Sequence, residues 1–260
     1  MSRIKDRIEE INNNGQKALS IFLTSGFPTI DSFLDNTNRI IEAGADIIEV
    51  GMPFSDPLAD GGVIQQSSQI ALQNGITQKQ TFNFIEQIRK ENDTPLILMG
   101  YANTLLQYGR EQFEQDAINA GVDGLIIPDV PLEEFENFFS PFSNKLDKIL
   151  LTTPTSSDER IKTIDSKSTG FLYSVSVSGT TGVRTGFSDS VIANLKNTYS
   201  IIEQNKMLIG FGISKPKDIE QLSPFADGFI VGSAVIESLM NNNIVDTLQL
   251  VRSLKDACNS

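Results

Sequence analysis

Glu49 is the residue of this sequence whose surroundings best suit proton transfer. It lies inside the aliphatic run Ile47–Gly51, and alternation along a β-strand places it on one face with Ile47 and Gly51. If that face borders a cavity, the carboxylate loses part of its hydration. Its pKa then rises towards the neutral range that suits general acid and base catalysis. The alternative is structural, because a glutamate at a strand end can also belong to an ion pair.

Asp60 is a second candidate. It closes the two-proline loop Pro53–Asp60 that follows the same run, so the loop carries a further carboxylate towards the end of that strand. Its position before Gly61 also fits a helix N-cap, in which the carboxylate accepts a backbone hydrogen bond worth about 1 kcal/mol. A catalytic role and a capping role therefore both stay open for Asp60.

The residue types that are missing narrow the chemistry. The chain contains no histidine, which excludes Ser-His-Asp and Cys-His nucleophilic machinery and imidazole ligands for a metal. Its single cysteine, Cys258, has no partner within the chain, so a disulfide framework and a cysteine-based metal cluster are excluded too. In an enzyme of this sequence, carboxylates, Lys or Tyr must move the protons.

Three glycine-bearing turns follow late aliphatic runs, at Gly179–Gly182, Phe211–Ser214 and Gly232–Ala234. Backbone N–H groups in such turns, together with the N-terminus of a following helix, bind phosphate without a basic cluster. The turns therefore indicate a phosphate site, while each glycine alone would also suit a structural turn. The segment Ser176–Ser188 is rich in Ser, Thr and Gly, which is typical of a mobile lid or, alternatively, of a disordered surface loop.

Charge and hydropathy exclude several classes of partner. The formal net charge is −12, and no run of Lys or Arg interrupts the acidity, so neither nucleic acid nor anionic lipid is an expected partner. No apolar stretch approaches the roughly 20 residues that a membrane span needs, and the first residues lack the apolar core of a signal peptide. The sequence therefore predicts a cytoplasmic protein.

Eight short aliphatic runs alternate with amphipathic segments along the chain. The runs are Leu19–Thr24, Ile47–Gly51, Leu96–Gly100, Leu125–Pro128, Ile149–Thr152, Phe171–Val175, Met207–Gly210 and Phe229–Val231. Continuous Ile, Leu and Val runs are typical of parallel strands that helices cover on both faces. About eight such units in roughly 250 residues match a TIM barrel, in which the reacting groups lie at the C-terminal ends of the strands.

The predicted fold is therefore α/β, a single-domain TIM (β/α)8 barrel over residues 1–260 with an extra N-terminal helix. Ser2 is positioned to cap that helix, whose apolar face carries Ile4, Ile8 and Ile11. A doubly wound open sheet is the alternative fold, but the chain has neither its usual G-x-G-x-x-G motif nor a P-loop.

Local signals mark the ends of several elements. Gly15 follows the first helix where a left-handed residue is expected, and Thr77 with Gln80 predicts a capping box. A weak repeat, in which a helix end turns into a strand, occurs at Ala43–Ile47, Ala120–Gly124 and Phe225–Phe229.

With these residues in hand, the sequence resembles the α subunit of tryptophan synthase from about Lys17 to the C-terminal helix. The most specific stretch is Glu49–Gly61, which matches the signature of that family nearly throughout. The loop-six pattern of the family corresponds to Tyr173–Gly182, and its phosphate turns correspond to Phe211–Ile213 and Gly232–Ala234.

The resemblance implies a lyase that cleaves indole-3-glycerol phosphate to indole and glyceraldehyde 3-phosphate without a cofactor or metal of its own. It implies that Glu49 is the acid and base at indole C3 and the glycerol hydroxyl, and that Asp60 holds the indole N–H. The implied substrate-binding residues are Phe22, Met99, Ile126 and Tyr173 around the indole, Gly182, Phe211, Gly212, Gly232 and Ser233 around the phosphate, and Thr181 in loop six. The resemblance also implies a β subunit that uses pyridoxal phosphate, in an α2β2 heterotetramer.

Two departures from the family pattern stand out. Gly62 occupies a position where many relatives have Pro, and Val177 a lid position where some carry Arg. Gly62 should loosen the start of the helix after Asp60. Two other functions stay open at this point: a phosphosugar isomerase or epimerase on the same barrel, and a silent subunit that only activates a β partner. The presence of both Glu49 and Asp60 argues against the silent subunit.

Overall fold

The computed structural model describes residues 2–176, 187–241 and 244–260. In it, eight parallel strands pair in chain order, and β8 returns to β1 to close a barrel. The strands are β1 (Ala18–Thr24), β2 (Ile47–Gly51), β3 (Leu96–Met99), β4 (Gly124–Ile126), β5 (Asp147–Thr152), β6 (Leu172–Val175), β7 (Met207–Gly210) and β8 (Gly228–Val231). The predicted TIM barrel is confirmed, and the strand ends differ from the predicted ones by at most two residues.

Helices cover the barrel. Those in the described residues are α1 (Arg3–Asn13), α2 (Ile30–Glu42), α3 (Gly62–Gln73), α4 (Gln78–Glu91), α5 (Ala102–Tyr108), α6 (Arg110–Ala120), α7 (Phe135–Phe139), α8 (Asp158–Lys167), α9 (Asp189–Ile201), α10 (Pro216–Leu222), α11 (Ser233–Met240) and α12 (Ile244–Cys258). Short 3₁₀ turns occur at Leu132–Glu134 and Ser223–Phe225. None of the helices in the described ranges has the length and apolarity required to cross a membrane.

The extra N-terminal helix forms as predicted and packs against the N-terminal end of the barrel. Ser2 caps it, with its hydroxyl accepting a hydrogen bond from the Lys5 backbone N–H at 3.0 Å. Ile4 is fully buried, and a Cβ placed on Gly124 of β4 would come within 2.8 Å of the Ile4 side chain. The missing side chain of Gly124 therefore makes room for α1. Gly15 follows the helix with the expected positive φ of 76°.

A recurrent hydrogen-bond pair joins the strands two by two at the N-terminal edge of the barrel. A residue one to three positions before each even-numbered strand makes two hydrogen bonds with a residue at the start of the preceding strand. It donates its backbone N–H to the carbonyl of that residue, and its side chain accepts the N–H of that residue. We call this arrangement a strand clamp. The four clamps are Asp46 with Leu19, Asp123 with Leu96, Thr169 with Lys148 and Asp227 with Met207, at 2.7–3.0 Å.

Candidate active site

The C-terminal ends of the strands surround a cavity of about 1330 Å³. Most of the residues that the sequence singled out lie on its wall: Phe22, Glu49, Asp60, Met99, Tyr173, Phe211, Gly212, Gly232 and Ser233. Ile126 is the exception. It pairs in register with Met99 and is fully buried, and the neighbouring wall is formed instead by Ile127 and Pro128. The turn Gly179–Gly182, with Thr181 and Gly182, lies outside the described residues. So do Val177 and most of the segment Ser176–Ser188.

Glu49 reaches this cavity from the middle of β2. Its carboxylate is 1% exposed and accepts a hydrogen bond at Oε1 from the Ser20 hydroxyl at 2.8 Å. Burial raises the pKa of Glu49 to about 7, and the Ser20 hydrogen bond offsets this only in part. In the described part of the chain Glu49 forms no ion pair, so the strand-end ion pair considered above is wrong. A carboxyl that titrates near neutrality can both donate and accept a proton at physiological pH.

Asp60 does not cap a helix, which corrects the structural alternative. Helix α3 begins at Gly62, one residue later than a cap at Asp60 requires, and its N-cap is Gly61 without a side-chain bond. The Asp60 carboxylate is used differently, because its Oδ2 accepts a hydrogen bond from the Tyr101 hydroxyl at 3.0 Å. Burial raises the pKa of Asp60 to about 6, and the Tyr101 hydrogen bond partly opposes the shift.

Tyr101 fixes the end of the loop that carries Asp60. Its phenol oxygen also accepts a hydrogen bond from the Ala59 backbone N–H at 3.0 Å, while its ring stacks on Phe54 with 5.3 Å between centroids. One side chain thus holds both the carboxylate and the adjacent main chain. Tyr101 is a site residue that the sequence patterns did not identify. Its place directly after the third aliphatic run, just beyond the C-terminal end of β3, is the signal that could have identified it.

Tyr173 forms the opposite wall and stays neutral. It is buried on β6, and burial together with the negative charges of Glu49 and Asp60 raises the pKa of its phenol well above the usual value. A Cβ on Gly210 of β7 would overlap the Tyr173 ring, so the glycine is what allows this position. The ring therefore presents an apolar face beside the two carboxylates.

The turn after β7 has an unusual backbone. Phe211 and Gly212 both have positive φ angles, 69° and 80°, and for Phe this left-handed conformation is uncommon. Two side chains hold the turn. The Ser176 hydroxyl donates to the Phe211 carbonyl, and Asp218 accepts the backbone N–H groups that follow, including that of Ser214 at 2.9 Å.

The turn after β8 leads directly into α11. Gly232 is the N-cap of that helix and has no side chain to cover its first N–H groups. A Cβ at Gly232 would lie 3.3 Å from Phe22, tighter than most side-chain contacts. The unpaired N–H groups of a first helical turn and the helix dipole together suit an anion. The two predicted phosphate turns that can be described therefore lie on one cavity wall.

A second cavity, of about 860 Å³, lies at the other end of the barrel beside α1. It is lined mainly by charged side chains, and some of these neutralise one another, as Arg3 and Asp123 do at 2.5 Å. In the described ranges no group of three or more His, Cys, Asp and Glu residues is arranged to hold a metal ion. The cavity with the two unpaired carboxylates is therefore the candidate active site.

Comparison with known proteins gives matches over nearly the whole chain. The model of the family described as Tryptophan synthase alpha chain matches residues 8–259. The chain is 40% identical to the tryptophan synthase alpha chain of Christiangramia forsetii over 263 residues, which cover 98% of this chain and 99% of that one. It is 43% identical to that of Caldanaerobacter subterraneus subsp. tengcongensis over 240 residues, with coverage of 92% and 91%. The crystal structure of the alpha chain from Legionella pneumophila matches with a TM-score of 0.89 at 32% identity, covering 100% of this chain and 98% of that one.

Proposed function

The chain belongs to the tryptophan synthase alpha chain family, and on that premise we propose that Glu49 and Asp60 carry out its reaction. The protein is a carbon–carbon lyase of tryptophan biosynthesis that cleaves indole-3-glycerol phosphate to indole and glyceraldehyde 3-phosphate. The observation that supports these roles is that two buried carboxyl groups, with pKa values of about 7 and about 6, lie on the wall of the same cavity.

Glu49 transfers two protons in this proposal. Its protonated form gives a proton to indole C3, which leaves positive charge on the ring nitrogen, and its carboxylate then takes the proton of the glycerol hydroxyl. As that O–H bond breaks, the C=O bond of the aldehyde forms and the carbon–carbon bond breaks. The electron pair of the broken carbon–carbon bond returns to the indole ring and neutralises the positive charge on the ring nitrogen. The net proton change on Glu49 is zero, so a pKa of about 7 suits both halves of the reaction.

Asp60 stabilises the charge that develops between these steps. Its carboxylate accepts the indole N–H, and an anion at that place is worth more as the nitrogen becomes positive. The Tyr101 hydrogen bond keeps Asp60 oriented and favours its charged form. This role needs the charge, which separates it from a purely hydrogen-bonding one.

The remaining wall residues divide between the two ends of the substrate. Phe22, Met99 and Tyr173 offer an apolar surface for the indole ring, and Ile126 is proposed with them from the resemblance alone. Phe211, Gly212, Gly232 and Ser233 surround the phosphate, where backbone N–H groups and the α11 dipole replace a basic cluster. Thr181 and Gly182 belong to the proposed substrate site as well.

The test of this function uses the pure chain. Incubation with indole-3-glycerol phosphate should release indole, and glycerol 3-phosphate should compete with the substrate because it fills only the phosphate end. Failure of this chain to form indole, alone or with its cognate β chain, would support the silent-subunit alternative. Full activity in a chelator without added pyridoxal phosphate would agree with the proposed absence of a metal and a cofactor.

The family name implies a β chain, and we further propose an α2β2 heterotetramer in which only the β chain uses pyridoxal phosphate. The loop Pro53–Asp60 is the proposed docking segment, since Leu58 within it is 83% exposed. Ala59 and Asp60 both bond to Tyr101, so displacement of this loop by a partner would reach the catalytic carboxylate. Calorimetric titration of the two chains, with and without glycerol 3-phosphate, tests this. Reciprocity requires the ligand to tighten association by the factor by which the partner tightens the ligand.

Two further expectations belong to the proposal. The whole of residues 1–260 forms one domain, supported by the closed barrel to which α1 and α12 both contribute buried residues. The second expectation is that the protein acts in the cytoplasm. Fractionation of the source cells with activity assays would check the location.

A further inference from the structure

The Glu49 carboxylate has a single hydrogen-bond partner in the described part of the chain, the Ser20 hydroxyl. We propose that Ser20 is a positioning residue for the reaction: it holds Oε1 of Glu49 so that Oε2 is the oxygen that exchanges protons with the substrate. The inference rests on the proposed role of Glu49.

The placement of Ser20 argues for such a role. It is fully buried on β1, where its register partners are Ile47 of β2 and Ile230 of β8. An aliphatic residue would suit this position of a barrel strand better, because burying a hydroxyl without a partner costs free energy. The Glu49 carboxylate, 2.8 Å away, is the partner that this hydroxyl has.

The two carboxylate oxygens of Glu49 also differ in their hydrogen bonding. Oε1 accepts the Ser20 hydrogen bond, whereas Oε2 has no hydrogen-bond donor in the described residues, and the side chain lines the cavity. A carboxylate whose one oxygen is fixed loses its freedom to rotate, so the other oxygen meets substrate in a defined direction. Ser20 therefore prepares Glu49 without touching the substrate.

The other titratable groups near Glu49 do not replace this bond. Tyr173 on β6 and Asp60 after β2 are the ones that face it, and neither donates to it. The remaining charged groups on the cavity wall lie on the loops and helices above the strands, and they are Arg160, Lys215, Asp218 and Glu237. Arg160 is already paired with Glu133 at 2.6 Å. A donor hydrogen bond from Ser20 thus favours the charged form of Glu49 against the effect of burial.

The test is the pH profile of kcat and kcat/KM for Ser20→Ala. The limb that Glu49 controls should move to higher pH by roughly one unit, because a hydrogen bond to a charged group is worth about that much. At pH 7, the charged fraction of Glu49 should fall about fivefold, from about a half to about a tenth, because its pKa of about 7 would be raised by roughly one unit. Binding of glycerol 3-phosphate should be unchanged. Ser174→Ala is the matched control, since Ser174 is also buried on a barrel strand and makes no hydrogen bond to Glu49.

Two more variants separate positioning from packing. Ser20→Thr keeps a hydroxyl and should restore the profile, and Ser20→Cys, a weak donor of similar size, should give an intermediate shift. If Ser20→Ala folds poorly, the cysteine variant still tests the hydrogen bond. A pH profile that stays in place in both Ser20→Ala and Ser20→Cys would overturn the proposal.

A readout without substrate keeps this inference apart from the proposed function. The infrared band of the protonated carboxyl that disappears in Glu49→Gln can be titrated in the free protein, and its midpoint should rise in Ser20→Ala. Should Glu49→Gln retain activity, the catalytic assignment of Glu49 fails although the midpoint still shifts. Should Glu49→Gln be inactive while Ser20→Ala leaves the midpoint and the profile unchanged, only the role of Ser20 is lost.

Discussion

Buried carboxylates have different partners at the two ends of the barrel. At the N-terminal edge, buried or nearly buried carboxylates each contact a Lys or Arg and accept a backbone N–H; they are Asp46, Asp123 and Asp227. At the C-terminal end, Glu49 and Asp60 are as deeply buried but have hydroxyl partners, Ser20 and Tyr101. Burial by itself therefore does not decide what a carboxylate does. The partners of the carboxylate differ between the two ends, being cations and backbone N–H groups at the N-terminal edge and hydroxyl groups for Glu49 and Asp60.

Burial of Glu49 without a cation lowers the free energy of unfolding when its carboxyl group is charged. The pKa of Glu49 is about 7 in the folded chain against 4.5 for the free side chain, so the folded state binds the proton more tightly. Above pH 7 the charged group is buried at a cost, and this cost disappears as the pH falls from 7 to 4.5. The carboxylates at the other end are held by cations and backbone N–H groups instead, which is the arrangement expected of the stability face of a TIM barrel.

The largest expected effect is that of Glu49→Gln. The amide keeps the shape but cannot exchange the proton, so kcat should fall by at least about 100-fold with glycerol 3-phosphate binding intact. The variant should also be more stable than the parent above pH 7, by up to about 3 kcal/mol, and the gain should shrink towards pH 4.5. Steady-state kinetics measures the loss of kcat. Urea unfolding above pH 7 and near pH 4.5 measures the change in stability. Retention of more than about a tenth of kcat would remove Glu49 from the mechanism.

Asp60→Asn is the second test of the C-terminal end. Loss of the charge beside the indole nitrogen should lower kcat by roughly 10- to 100-fold, while the melting temperature changes little because Asn still accepts the Tyr101 hydrogen bond. Kinetics and thermal melting of the same preparation separate the two quantities. Normal turnover would show that Asp60 acts through its hydrogen bond rather than its charge.

Asp123→Asn makes the same chemical change at the N-terminal edge, with the opposite readout expected. Asp123 contacts both Arg3 and Arg89 at 2.5 Å, so its neutralisation removes the negative charge that the two guanidinium groups share. The free energy of unfolding should fall by about 2 kcal/mol, or a few degrees in Tm, while kcat stays unchanged. A loss of kcat with normal stability would contradict the division between the two ends.

Gly232→Val tests the part of the C-terminal end that binds without side chains. The new side chain would press on Phe22 and block the approach of an anion to the start of α11. The affinities for glycerol 3-phosphate and for substrate should weaken together, by about tenfold, with a smaller change in kcat. Fluorescence or calorimetric titration gives both affinities. Unaltered binding of glycerol 3-phosphate would place the phosphate elsewhere.

Gly62→Pro should have the smallest effect. Gly62 is the first residue of α3, has open space around its Cα and a negative φ, and so can accept proline. Proline there should stabilise the fold by about 0.5 kcal/mol by restricting the unfolded chain. Chemical unfolding detects the difference, with Gly62→Ala as the intermediate case. Destabilisation would mean that the glycine is required by the loop that carries Asp60.

The sequence predicted the strands of the barrel better than the hydrogen-bond partners of the site residues. Eight aliphatic runs were enough to place the strands, because a parallel strand buried on both faces needs such a run. The Asp60 carboxylate illustrates what patterning cannot resolve. Its hydrogen bond comes from Tyr101, 41 positions away, and the pairing of β2 with β3 brings the two together.

The same limit applies to Glu49 and to the strand clamps. A raised pKa for Glu49 follows from its aliphatic neighbours, but the Ser20 hydroxyl comes from another strand and has no sequence motif. The repeat that contains Asp46, Asp123 and Asp227 is visible in the sequence as punctuation between helix and strand. That each aspartate binds the preceding strand depends on strand register, which local sequence does not encode.

The strand clamps also determine how the barrel is divided. Each clamp joins β1 to β2, β3 to β4, β5 to β6 or β7 to β8, and no equivalent reciprocal bond is present at the other four junctions in the described part of the chain. The barrel is thus made of four quarters of two strands. A chain reopened by circular permutation between quarters keeps all four clamps, whereas one reopened inside a quarter separates the two members of a clamp in sequence. Two strands with their helices are therefore the natural unit by which this barrel can be shortened, duplicated or recombined.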